Sequence, residues 1–206
     1  KLLDKVLLDY NNKAEKLTES RKKVSQNIEV MLQAELSDLN MASAKFKVSF
    51  LKEEKVSKNG KDSIEFLIAT NVGQDYKTLT KIASGGEVSR IMLALKTIFS
   101  KVDNIPILIF DEIDIGVGGE TVRKIAGKLK EIGKHAQVIC ITHSPQIAAK
   151  ATQQFYIEKN VVANTTVTTV RELNQEERVR EIGRMLAGEN ITDTVLSHAL
   201  ELLKED

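Results

Sequence analysis

Ile107-Leu108-Ile109-Phe110-Asp111-Glu112 is the stretch on which the fold turns: a short apolar run that ends abruptly in two adjacent carboxylates. The run is too short for a buried helix and suits a strand covered on both faces, as in a parallel sheet. Ligands of α/β sheets bind beyond the carboxyl ends of the strands, so Asp111 and Glu112 arrive where a nucleotide would sit. Neighbouring carboxylates repel unless a cation or proton lies between them, and Mg²⁺ with triphosphate oxygens supplies that cation. A strand that merely ends in solvated acids has the same local sequence.

Downstream, Glu120 to Ile132 has the spacing of an amphipathic helix and Gln137 to Thr142 reads as a second buried strand. Strand, helix and strand at this spacing make a βαβ unit with parallel strands, and Ile107, Ile109, Ile139 and Ile141 are its expected core. The second strand ends in Ile141-Thr142-His143-Ser144-Pro145. If the two strands are neighbours, His143 stands beside the Asp111-Glu112 end, although a histidine at a strand end is commonly structural.

Upstream, Ala83-Ser84-Gly85-Gly86-Glu87 precedes Val88, Ile91, Met92, Leu95 and Ile98 at helical spacing, a loop feeding a helix N-terminus. Glycines let backbone N–H groups approach a phosphate, and the helix end adds partial positive charge. A Ser N-cap on a flexible turn accounts for the same residues. Arg90 is placed either to help bind phosphate or to pair with a nearby acid.

Before that turn, Phe46, Val48 and Phe50 alternate on one face, as do Ile64, Phe66 and Ile68, with Asn59-Gly60 between them at the tip of a hairpin. At the start, Leu3, Tyr10, Leu17, Val24 and Met31 form a seam spaced by sevens, and Leu7, Ala14, Arg21 and Ile28 form a second. Alternating gaps of four and three are the heptad pattern of a coiled coil whose partner strand lies elsewhere. A surface helix lying on its own domain is the alternative. After the second buried strand, Phe155 to Glu158 and Thr165 to Glu172 read as a β-hairpin, then Glu176 to Ala187 and Thr192 to Leu203 as helices punctuated at Gly188 to Asn190.

Composition sets outer bounds. With 206 residues, 42% of them hydrophobic, the chain can build a globular core. Its 30 Lys and Arg nearly balance 29 Asp and Glu, so bulk charge predicts neither a nucleic-acid grip nor an acidic partner. The lysine clusters at Lys13, Lys16, Arg21, Lys22 and Lys23, and at Lys52, Lys55, Lys58 and Lys61, are interleaved with acids and polar groups and lack aromatic platforms, which favours solvated faces. The single cysteine, Cys140, sits in an apolar run and suits a reducing compartment, and no apolar run approaches the ~18 residues of a membrane helix.

Order and spacing of the three signals together resemble the ABC ATPase superfamily, in which a Ser-Gly-Gly signature, a Walker B strand and a switch histidine follow one another. Glu87 at the end of the signature is similar to the SMC-like branch. Within that branch Asp111-Glu112-Ile113-Asp114-Ile115-Gly116-Val117-Gly118-Gly119, Thr142-His143-Ser144-Pro145-Gln146-Ile147-Ala148 and Arg180-Glu181-Ile182-Gly183-Arg184-Met185-Leu186-Ala187-Gly188 resemble the bacterial RecN family of DNA repair proteins. The likeness extends over essentially the whole chain.

The resemblance implies an α/β fold: the C-terminal lobe of an ABC/SMC-type ATPase head over 41–206, with parallel core strands flanked by helices, and a coiled-coil arm segment over 1–40. It implies ATP and Mg²⁺ as cofactors, Asp111 holding the metal through water, Glu112 as general base and His143 steadying the γ-phosphate. Ser84, Gly85, Gly86 and Glu87 would meet the ATP of a second head in an ATP-dependent homodimer, and Asp114 would contribute to that head-to-head contact. A Walker A loop, Gly-x-x-x-x-Gly-Lys-Ser/Thr, is absent, since Gly60-Lys61, Gly127-Lys128 and Gly133-Lys134 lack both the upstream glycine and the hydroxyl. The expectation is therefore a piece of a longer protein, inactive alone, whose N-terminal half brings Walker A and the second coiled-coil strand. DNA would be bound through the full-length protein, in double-strand break repair and recombination, in the cytoplasm at the nucleoid and without a membrane.

Two other readings compete. A Ser84, His143 and Asp111 hydrolase triad lacks the Gly-x-Ser-x-Gly elbow. A non-catalytic, DNA-holding module of another SMC-like protein would need none of this chemistry.

Overall fold

A computed structural model describes residues 1–53, 55–100, 102–162 and 165–205. The chain forms two compact units, Lys1–Asp103 and Asn104–Asp206.

The first unit opens with α1, Leu2–Asp38, one uninterrupted helix. Its behaviour changes along its length. None of its residues before Ala14 is buried, whereas Ala14, Thr18, Ser25, Leu32 and Leu36 form a buried stripe. That stripe packs on the strand β1 (Lys45–Lys52) and the helix α2 (Gly85–Phe99). From Ala14 onward α1 is thus a helix lying on its own domain, while Leu3, Leu7, Val24 and Met31 of the seven-spaced seams stay exposed.

Strand β1 pairs antiparallel with β2 (Asp62–Ala69) in the register the alternation dictates, Phe46 opposite Ile68, Val48 opposite Phe66 and Phe50 opposite Ile64. A one-residue slip would turn the apolar face to solvent, so burial itself holds the register. Phe46 and Phe66 meet edge to face with centroids 5.4 Å apart. A two-residue strand β3 (Lys77–Thr78) extends the sheet beyond β2. The sequence reading missed β3; two residues are too few for alternation to register.

The hairpin tip is fastened to α1. Gly60 has φ +89°, a conformation that favours glycine, and a Cβ there would lie 3.1 Å from Leu17 Cδ2 and press on that side chain. Tyr10 donates its hydroxyl to the Gly60 carbonyl at 3.1 Å, and Thr18 donates to Asp62 at 2.5 Å. Glu29 accepts the Val48 amide at 2.7 Å, covering a donor of the edge strand.

In the second unit β4 (Ile107–Phe110) and β5 (Gln137–Cys140) pair parallel and in register, with α3 (Gly119–Ile132) between them in sequence. The βαβ unit is as expected. Its expected core is not: Ile107, Ile109, Ile139 and Ile141 are 45% to 67% exposed and share one face, while Phe110 on the other face is buried. Apolarity marks these residues as suited to burial, but among the described residues of the second unit nothing is laid over them.

After β5 comes α4 (Pro145–Lys150), begun by Pro145 at its first position, where proline costs no hydrogen bond. The hairpin β6 (Phe155–Val162) and β7 (Thr165–Glu172) runs longer than its alternation suggested. The helices α5 (Gln175–Ala187) and α6 (Asp193–Lys204) close the chain and, with α4, bury Ala148, Ala149, Ile182, Ala199 and Leu202. Among the described residues no helix is long and apolar enough to cross a membrane.

Candidate functional site

The acid-bearing turn grows directly out of β4. Asp111 and Glu112 are exposed, and the next residue, Ile113, is fully buried and anchors the turn. Glu112 has φ +58°, a left-handed conformation that costs a non-glycine residue about 1–2 kcal/mol. Its carbonyl accepts the Ile115 amide at 3.2 Å, closing the turn. Backbone strain of this kind concentrates where a side chain must be aimed. Nothing in the sequence announces it, because glutamate carries no conformational signature for positive φ.

Because β4 and β5 are parallel and Phe110 stands opposite Cys140, the two strand ends finish side by side. The Ile141 amide continues the ladder to the Phe110 carbonyl at 2.9 Å. His143 follows on β5 with its ring mostly exposed, so the conditional placement made from sequence holds: acids and histidine leave the sheet at the same edge.

Between them lies Asp114, whose carboxylate is buried. Its Oδ2 accepts the Thr142 hydroxyl at 2.5 Å and the His143 amide at 3.3 Å, and lies 3.6 Å from His143 Nδ1. The side chain therefore points inward to the switch turn. Thr142 was not singled out from sequence, since only the adjacency of β4 and β5 brings it to Asp114. Cys140 sits in the same corner: burial foremost, then the charges of Asp114 and Asp111, push its thiol up to about 12, which keeps it protonated and inert.

The glycine turn belongs to the first unit. Ser84 caps α2, accepting the Glu87 amide at 3.4 Å, and Ser84 and Gly85 are exposed whereas Gly86 is buried. Arg90, one turn on, is buried too. Desolvation lowers its guanidinium pKa and the charge of Glu87 opposes that shift.

The acids also limit what metal the chain could hold. No group of three or more His, Cys, Asp or Glu side chains is disposed to ligate a metal among the described residues. Two exposed carboxylates at a strand end do fit Mg²⁺, which binds through one or two carboxylates and takes its remaining ligands from water and phosphate.

The model of the RecF/RecN/SMC N terminal domain matches residues 5–168, and the chain belongs to that family. Among individual proteins it is similar to the DNA repair protein RecN of Halalkalibacterium halodurans, 42% identical over 98% of this chain and 36% of the relative. RecN of Bacillus subtilis is 40% identical over 100% of this chain and 38% of the relative, and RecN of Treponema pallidum 43% identical over 91% and 34%. The chain thus spans little more than a third of the curated relatives it matches. Among solved structures, the Smc head domain with a coiled coil and joint from Pyrococcus yayanosii aligns with TM-score 0.52 at 21% identity, over 80% of this chain and 29% of that one. The Smc head domain with an extended coiled coil from Pyrococcus furiosus, bound to the C-terminal domain of ScpA, aligns with TM-score 0.51 at 21% identity, over 89% and 43%. At that identity the likeness concerns the fold.

Proposed function

We propose that this chain is the C-terminal part of an SMC-like ATPase of the RecN type, acting in DNA double-strand break repair and recombination. The observation that carries the proposal is the shared edge at which β4 delivers Asp111 and Glu112 and β5 delivers His143. Residues 1–40 would lead in from a coiled-coil arm and 41–206 would form the C-terminal lobe of the head.

Bound at this edge, ATP with Mg²⁺ supplies the phosphoryl group and the charge neutralisation that phosphoryl transfer relies on. Asp111 would hold the metal through water. Glu112, exposed and aimed by its left-handed backbone, would accept a proton from the attacking water as general base. His143 would donate a hydrogen bond to the γ-phosphate. Ser84, Gly85 and Gly86, with Glu87 behind them, would present the α2 N-terminus to the nucleotide of a second head in an ATP-dependent homodimer. Asp114 would enter that head-to-head contact through the backbone it holds rather than through its own buried carboxylate.

The exposed isoleucine face supports a further lobe. Parallel sheets are covered on both sides, and Ile107, Ile109, Ile139 and Ile141 offer an apolar surface to missing strands. The N-terminal half of the same protein would bring those strands, a Walker A loop and the second strand of the coiled coil. DNA would be engaged by the full-length protein, in the cytoplasm at the nucleoid.

Glu112→Gln tests the assignment in the full-length protein. It keeps size and hydrogen bonding but removes basicity, so ATP should still bind while steady-state turnover falls by roughly 100-fold or more. Hydrolysis near the unaltered rate would remove Glu112 from the mechanism.

A further inference from the structure

Between the end of β5 at Cys140 and the start of α4 at Pro145, Ile141 to Ser144 belong to no helix or strand. The His143 side chain is 77% exposed, so apart from Nδ1 lying 3.6 Å from Asp114 Oδ2 the ring takes its position from the backbone of this turn. What holds that backbone is the buried carboxylate of Asp114, on the other strand's turn. The Ser144 amide donates to Thr142 Oγ1 at 2.9 Å, the Thr142 hydroxyl donates to Asp114 Oδ2, and the His143 amide donates to the same oxygen. Asp114 in turn lies in the turn closed by the Glu112 carbonyl and the Ile115 amide.

We infer that Asp114 and Thr142 form a positioning relay that registers His143 against Glu112, so that Thr142 acts on turnover through the histidine. The inference rests on the proposed ATPase reading and adds to it Thr142 and a positioning role for Asp114, neither touching substrate.

Burial makes the arrangement costly. The Asp114 side chain is 2% exposed, and its Oδ1 is buried with no hydrogen-bond partner among the described residues. A half-satisfied buried carboxylate destabilises a fold relative to an apolar residue of the same shape. Its benefit here is geometric: one oxygen gathers a hydroxyl and an amide from the neighbouring turn, joining two strand ends that the ladder alone leaves free beyond Ile141.

Thr142→Val tests the relay in the full-length protein, because it keeps the branched shape and deletes only the hydroxyl. Loss of a supporting hydrogen bond of this kind should lower kcat between about 10- and 100-fold while KM for ATP stays nearly constant. Thr142→Ser should restore it. In a His143→Ala background Thr142→Val should have no further effect, since the residue it acts through is gone. Equal losses in both backgrounds, or unchanged kcat, would overturn the relay while leaving the ATPase reading intact. Hydrogen exchange at the His143 and Ser144 amides, followed without nucleotide, reads the same contact independently of catalysis. Faster exchange in Thr142→Val is expected. If the unaltered protein shows no ATP turnover, the proposed function fails and this exchange alone decides: unchanged protection would overturn the relay as well.

Discussion

Glu112 combines an exposed carboxylate with a backbone at φ +58°. Its conformational strain of about 1–2 kcal/mol outweighs the about 0.5–1 kcal/mol of chain entropy that glycine loses on folding, so the usual ranking of substitutions inverts here. Glu112→Gly should be more stable to denaturant than Glu112→Ala by about 1 kcal/mol, the margin by which glycine relieves positive φ. Both should lack turnover. An alanine variant at least as stable as the glycine variant would mean that the turn is not strained at this position. Asp114 illustrates what single residues hide: the resemblance marks it for a head-to-head contact, whereas its buried carboxylate bonds a threonine hydroxyl and a backbone amide of the turn that follows β5.

Elements were legible to different degrees for physical reasons. The β1–β2 register could be read because alternation over Phe46, Val48 and Phe50 leaves one pairing that buries them. The β4–β5 pairing could be read because a crossover helix joins parallel strands. The burial of their isoleucines could not, because an apolar residue is the same whether its cover lies in this chain or in another. On α1 the alternative of a helix lying on its own domain holds from Ala14 onward, while the earlier turns are exposed and their coiled-coil pairing stays a proposal. The sequence reading places the start of α5 one residue late, at Glu176, although the helix carries a capping box in which Asn174 Oδ1 accepts the Glu177 amide at 3.0 Å and Glu177 accepts the Asn174 amide at 2.9 Å. The Asn174 amide, then Arg171 at 2.6 Å, hold the Glu177 carboxyl below its ordinary value of 4.5. A depressed carboxyl contributes stability that is present above its unfolded value and lost as pH falls through the folded one. Thermal melts should therefore decline on the acid side of pH 4.5, and Glu177→Gln, which does not titrate, should decline less steeply. Parallel acid limbs for the two proteins would contradict the assignment.

At the scale of the whole molecule the proposed function makes the chain one part of a composite ATPase. Its glycine turn and its acid edge lie in separate compact units, and under the proposed function each would need a complement: a phosphate cradle for the acids, a second nucleotide for the glycines. Ser84→Arg should leave ATP binding by a single head nearly intact and abolish ATP-dependent dimerisation, because a bulky cation would fill the groove meant for the second head's phosphates. Loss of the N-cap alone costs only ~1 kcal/mol, so the fold should persist. Dimers that still form with ATP, seen by size-exclusion chromatography with light scattering, would count against the shared site.

Titration calorimetry with ATP and Mg²⁺ addresses the central claim most directly, that the catalytic acids and histidine lie here while the phosphate grip lies in the rest of the protein. Run on the chain alone, it should show no binding in the micromolar range, since Asp111 and Glu112 meet the triphosphate without a lysine and backbone cradle to offset its charge. Run again after the N-terminal half of the full-length protein is added, it should show binding. Micromolar affinity for the chain by itself would contradict the account, because a complete phosphate site would then exist within these 206 residues.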